Sequence, residues 1–590
     1  MKKWLLGVLS GVFLVFALLM AAGWLGIYLQ SRPPQVSANT TLILDLDGDI
    51  PEQVPPDLAG QLLGEPEQIM FLALLTDIDK ATADSRITGI ILKASNLGIG
   101  WGKLQQLRQS LEEFQKHGKK LTAALEVAGT REYFLASAAS KVYLSPGGFL
   151  NLKGMRAEVM FFKDGLGKLG IQADLEHIGK YKNFSDQFTD NRMSDPFREA
   201  TTSMLDSIYG NFLEAVADAR RQPVEEMRAA IEESGPFDPE RAKQAGLVDE
   251  LLYEDQVLKQ LETASQGGEF HKMDMEDYHR VPAKDLGLGT GPRIALIYAV
   301  GDIISGEDQS SPLGGKTLGA ETMAEVLESV AKDDSIKGVV VRIDSGGGDA
   351  IASDNIWRRM NLLREKKPLV FSMSDVAASG GYYLAMTGDP IVAEPGTLTG
   401  SIGIVYGKLN LKGFYDKLGI NKEVIARGKF SGLDSDYGSY TPEERQRVRQ
   451  LMDNFYQDFV EKVAAARKMT PEDVDKIAQG RVWTGEQAKE NGLIDEVGGF
   501  PRALELVKQK AKIPLTESVE LVEFPKRKSL FELIISRAER GEVRGIFGGE
   551  LRLPAPLSRQ FARMLADWSQ LESLAQRPLW TRLPATFTFR

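Results

Sequence analysis

The sequence predicts an α/β protein made of two tandem domains of one fold behind an N-terminal membrane-spanning helix. Three observations lead there: an apolar stretch opens the chain, one pattern recurs at a fixed offset of 249 residues, and each copy alternates β-branched runs with helical segments.

The apolar stretch runs from Trp4 to Leu29 without a charge. Crossing a bilayer as a helix takes about 20 apolar residues, so this stretch is long enough. It exceeds a signal-peptide core of about 7 to 15 residues and no small-residue cleavage site follows, so residues 4–29 are read as a retained anchor. Lys2 and Lys3 precede the stretch and Arg32 follows it, with Pro33 and Pro34 next. The positive-inside bias puts the N-terminus in the cytoplasm and the body outside. A cleaved signal peptide is the other reading, and both export the chain from about Val36 onward. In a bacterium that means a single-pass protein of the inner membrane with its body on the periplasmic side.

The repeat is read next, because missing one misassigns a whole fold. Ile87 and Gly89 of ITGIILK fall on Ile336 and Gly338 of IKGVVVR, Tyr133 falls on Tyr382, and Gly179-Lys180-Tyr181 falls on Gly428-Lys429-Phe430. Small indels bracket the block, since Gly48-Asp49-Ile50 matches Gly301-Asp302-Ile303 and AKQAGLVDE from Ala242 matches AKENGLIDE from Ala488. Strands such as ITGIILK alternate with helical stretches such as Lys103 to His117, the pattern of βαβ units around a mainly parallel sheet. The expected division is a first domain over 41–262, a linker over 263–291 carrying QGG and GLGTGP, a second domain over 292–510 and an extension over 511–590.

Composition narrows the chemistry. A net charge of -11 and a pI near 5.3, without a basic run, make nucleic acid an unexpected partner. The absence of cysteine excludes a thiol nucleophile, a thiolate-bound zinc and a disulfide. The four histidines, His117, His177, His271 and His279, have no paired metal-ligand spacing, so neither a metal nor a cofactor is expected.

Three segments carry candidate chemistry. The second-copy run Ser345-Gly346-Gly347-Gly348 follows a strand and reads either as a set of backbone donors for an oxyanion or as a plain strand-to-helix turn. Ser379, in Ala377-Ala378-Ser379-Gly380-Gly381, reads either as a nucleophile that a substrate backbone can approach or as a helix N-cap. Its first-copy counterpart is Thr130, where the small-residue setting is lost. Lys180 has the counterpart Lys429 and suits a role common to both copies, whereas Lys182 falls on Ser431 and suits a specialised one. A surface lysine is the ordinary alternative, but burial lowers an amine's pKa and would let Lys182 deprotonate Ser379. His177 is the competing base and falls on Ala426.

These segments resemble the signal peptide peptidase family known as protease IV, peptidase family S49, in its long form with two fused domains. The motifs are Gly179 to Lys182 with the following RMSDPFREA, Ser345 to Gly348, AASGGY at Ala377 to Tyr382, and LTGSIGI at Leu398 to Ile404. The resemblance covers residues 1 to 510. It implies Ser379 as nucleophile, Lys182 as base, Ser401 as the hydroxyl that orients the amine, and Gly347, Gly348 and Gly380 as oxyanion donors. It further implies a fold similar to the Clp protease and crotonase superfamily, a homotetramer, and cleaved hydrophobic signal peptides in the membrane as substrates. Gly346 and Gln187 depart from the family pattern, which has proline at both positions. Two other functions are weighed: a crotonase-like acyl-CoA enzyme, which the anchor disfavours, and a catalytically silent membrane scaffold or chaperone.

Overall fold

The computed structural model describes residues 33–54, 68–264, 269–308, 310–311, 315–526, 579–582 and 588–589. The expected anchor at 4–29 lies outside the described residues. Among those described, no helix is long and apolar enough to cross a membrane.

In the first copy, the strands Glu250–Leu251, Lys141–Leu150, Lys120–Ala128, Ile87–Ser95, Thr40–Asp47 and His271–Asp274 lie side by side in that order, all parallel. The second copy repeats the arrangement through Glu496–Val497, Ile391–Ala393, Leu369–Ala378, Ile336–Ser345, Arg293–Val300 and Glu520–Phe524. The central strands read as near-continuous apolar runs because helices cover both faces of a parallel sheet. Val339, Val340, Val341 and Ile343 are fully buried, as is Leu92 in the first copy.

Two sequence expectations differ from this arrangement. The stretch read as a linker contains His271–Asp274, which pairs with Thr40–Asp47 and so completes the first sheet. The stretch read as an extension contains Glu520–Phe524, which pairs with Arg293–Val300 in the same way. Thr40 faces His271 and Arg293 faces Glu520, so the repeat runs past residue 510. Both edge strands are short and carry charges, and neither has the β-branched run that marked the others.

The copies join along two seams. Gln172–Ile178 of the first copy pairs antiparallel with Ile404–Asn410 of the second, Ile178 facing Ile404. The helix Trp101–Lys116 meets the second sheet, where Asp375 accepts from the backbone N–H groups of Gly100 and Lys103 at 2.9 and 2.8 Å. Beside this seam the fully buried Arg342 donates to Glu52 Oε1 at 2.7 Å and to Ser372 Oγ at 2.9 Å. The first seam fixes the site: Lys182 follows its first-copy strand within one loop, and Ser401 precedes its second-copy strand.

Candidate active site

Ser379 sits between the strand Leu369–Ala378 and the helix Gly380–Ala385. Its backbone is held at φ 55° and ψ -114°, a conformation that a non-glycine residue keeps only when its surroundings enforce it. The enforcement is visible: Ser379 N donates to Gly400 O at 2.8 Å, and Tyr383 N donates to Ser379 O at 2.8 Å. A Cβ on Gly381 would stand 2.3 Å from Ser345 O, so only glycine allows this approach.

Lys182 crosses from the first copy and is fully buried, as are Ser379 and Ser401. Its Nζ lies 2.6 Å from Ser379 Oγ and donates to Ser401 O and Ser401 Oγ, both at 2.9 Å. Burial pushes the amine well below its usual range. A neutral amine has two N–H groups and one lone pair. A neutral amine with both N–H groups on Ser401 would keep its lone pair for the Ser379 hydroxyl, a geometry that suits a base.

Three consecutive residues from the second copy hold both partners. Gln479 O accepts from Tyr181 N at 2.8 Å, Gly480 N donates to Ile402 O at 2.7 Å, and Arg481 O accepts from Ser401 N at 2.7 Å. Gly480 has φ +77°, and a Cβ there would stand 2.5 Å from Lys182 N and Cβ. Sequence reasoning missed this clamp. The available signal was Gly480 itself, which falls on Ser234 at the local offset of 246 and so is special to the second copy.

The predicted donors line the neighbouring strand Gly347–Asp349, where Gly347 has φ 100° and Gly348 φ 156°. Gly347 N donates to Ser345 Oγ at 3.2 Å, and Gly380 opens the helix after Ser379. Among the described residues His177 makes no hydrogen bond to the Ser379 hydroxyl: its Nδ1 lies 3.0 Å from Gly179 O in its own loop. Gln187 is buried in the short helix Asp186–Thr189, and its carbonyl accepts from Phe162 N at 2.6 Å. Among the described residues no group of three His, Asp or Glu side chains is placed to hold a metal.

The first copy lacks this constellation. Thr130 stands at the Ser379 position, and the Glu132 carboxylate accepts from Leu97 N at 2.7 Å and Gly129 N at 2.9 Å. A side chain thus fills the place where the second copy keeps glycine at Gly381. A cavity of about 470 Å³ remains beside it.

The profile of peptidase family S49 matches the chain twice, at residues 113–267 and 361–514. The chain belongs to peptidase family S49. Of its S49 segments, the first contains Lys182 and the second Ser379 and Ser401. This S49 peptidase is 38% identical over 462 residues to the chloroplastic serine protease SPPA of Arabidopsis thaliana, covering 78% of this chain and 68% of that one. It is 31% identical over 572 residues to Protease 4 of Salmonella typhi, covering 92% and 90%. Similar solved structures include a ClpP1 mutant from Listeria monocytogenes, at 15% identity and a TM-score of 0.23, covering 35% of this chain and 94% of that one.

Proposed function

We propose that this serine protease of family S49 works through a Ser-Lys dyad split between its two copies, and that it degrades hydrophobic signal peptides at a membrane. The supporting observation is the 2.6 Å approach of a fully buried amine to a buried serine hydroxyl, with no carboxylate bonded to that amine among the described residues.

Ser379 Oγ attacks the scissile carbonyl carbon as its proton passes to Lys182 Nζ, and the carbonyl oxygen becomes the oxyanion of a tetrahedral adduct. Backbone N–H groups of Gly347, Gly348 and Gly380 stabilise that charge, with Gly347 turning from Ser345 Oγ as substrate arrives. The Lys182 ammonium protonates the leaving amine, the C–N bond breaks, and an ester to Ser379 remains. The neutral amine then takes a proton from water, whose oxygen attacks the ester carbon; as that adduct collapses, the C–O bond to Ser379 breaks, the Lys182 ammonium returns a proton to Ser379 Oγ, and the second product leaves. Ser401 keeps the amine aimed throughout.

Membrane anchoring through residues 4–29, a periplasmic body and a homotetramer complete the proposal. Assembly has its own support. By the offset, residues 421–427 correspond to Gln172–Ile178, yet they are exposed, with Val424 and Ile425 61% and 87% accessible. A second chain pairing there by the seam used within the chain extends the arrangement head to tail until it closes.

The test is cleavage of a hydrophobic signal peptide by detergent-solubilised protein, comparing wild type with Ser379→Ala and Lys182→Ala. Loss of cleavage in both variants, with melting curves unchanged, is expected. Full cleavage by Lys182→Ala ends the dyad reading.

A further inference from the structure

The segment Leu579–Arg582 lies between the two walls of the second-copy cleft. It pairs antiparallel with the glycine strand, Thr581 facing Gly348 and Arg582 facing Gly347, and antiparallel with Ile404–Asn410, Leu579 facing Tyr406. Six residues beyond Arg582, Thr588–Phe589 pairs antiparallel with Ala157–Glu158 of the first copy, Phe589 facing Ala157. Ala157 is the residue that falls on Tyr406 at the offset of 249. Leu579–Arg582 and Thr588–Phe589 thus meet the same position of the two copies, Leu579 at Tyr406 and Phe589 at Ala157, although only the second copy carries a serine.

The first-copy position keeps the features of a receptor. The cavity of about 470 Å³ beside it is lined by Trp101, Met155 and Arg156, the last adjoining Ala157. Trp101 is only 5% exposed, and its indole N–H has no acceptor among the described residues. A buried donor without a partner costs about 1–3 kcal/mol, which a peptide carbonyl in the cavity would relieve. Adding an extended peptide to a sheet edge supplies such carbonyls through main-chain pairing. At the offset of 249 Thr130 stands in place of Ser379 and Ser431 in place of Lys182, so a peptide held here stays uncut.

We propose that the first-copy cleft is a non-catalytic docking site for extended peptides, engaging the substrate about seven residues C-terminal to the stretch held in the second-copy cleft. Leu579–Arg582 and Thr588–Phe589 are the intramolecular occupants of this two-point track, and substrate displaces them. Arg582 and Thr588 are six residues apart in sequence. At roughly 3.5 Å per residue the two points are separated by at most about 21 Å of chain, so a peptide of about 14 residues reaches both and one of about six does not. The proposal rests on the peptidase reading for its substrate, but binding can test it without cleavage.

The full-length protein is given two peptides sharing one cleavage sequence, of about six and about 14 residues, and a third in which the longer peptide is N-methylated on the two backbone nitrogens seven and eight residues downstream. The longer peptide is expected to show a KM at least about tenfold lower, an advantage that N-methylation removes. Thr581→Pro with Phe589→Pro, which weakens both resident pairings, is expected to lower the KM for the long peptide further. The same three peptides are measured by fluorescence anisotropy on Ser379→Ala, where the long peptide is expected to bind about tenfold tighter than its N-methylated form. Equal binding of those two forms, or equal KM for short and long peptides, overturns the docking site. Absence of cleavage with the binding difference intact overturns the peptidase mechanism and leaves the site standing.

Discussion

Replacing Ser401 by alanine removes one of the two acceptors that aim the Lys182 amine, while the backbone carbonyl keeps the other at 2.9 Å. No part of Lys182 is exposed, so water cannot substitute for the lost hydroxyl. A buried N–H left without an acceptor costs about 1–3 kcal/mol. At about 1.4 kcal/mol per tenfold in rate, kcat/KM is expected to fall roughly 5- to 150-fold on its alkaline plateau. A second signature separates aiming from mere packing. The hydroxyl oxygen supports the ammonium form more than the amine, so its loss lowers the lysine pKa further and moves the acid limb of the profile to lower pH. The assay is kcat/KM on a fluorogenic peptide from about pH 5 to 10, with active sites titrated by an acylating probe. A plateau within twofold of wild type and an unmoved acid limb would refute the reasoning.

Lys182→Met is expected to abolish turnover yet raise stability at neutral pH. Burial lowers the folded amine's pKa while the unfolded amine keeps its ordinary one, so between the depressed folded pKa and about 10.4 the unfolded chain binds more protons. Wild-type stability therefore rises with pH through that window, and urea denaturation should show the methionine variant's advantage shrinking as pH climbs. Gly480→Ala puts a Cβ 2.5 Å from Lys182 and is expected to cost about 100-fold in kcat/KM with the fold intact by circular dichroism. Arg342→Ala leaves Glu52 buried and unpaired across the seam between copies, and should destabilise by about 3–5 kcal/mol in chemical denaturation.

The tandem α/β plan was legible because apolar β-branched strands are long and the offset compares each residue with its counterpart. The same comparison singled out Lys182 and Ser379, since it separates positions serving the common fold from those serving one copy. It failed where local composition carries little signal. His271–Asp274 and Glu520–Phe524 are charged and short, and become strands only because a neighbour's edge is waiting. The clamp of Gln479, Gly480 and Arg481 acts through backbone atoms, and only one of its three residues is unusual in type. Glu132 looked like any surface carboxylate, and its meaning depends on two N–H groups that the fold brings to it.

Lys182 and Ser379 are separated by 197 residues, and each enters the contact from a different copy. As the chain is synthesised, the half with the amine emerges and folds first, and it has no hydroxyl to activate. On the proposed dyad, the half with the hydroxyl cannot act until its sheet is complete and docked along the seam. Such an enzyme would be harmless to its own nascent chain and to its neighbours until folding is finished, the protection a removable propeptide would otherwise give.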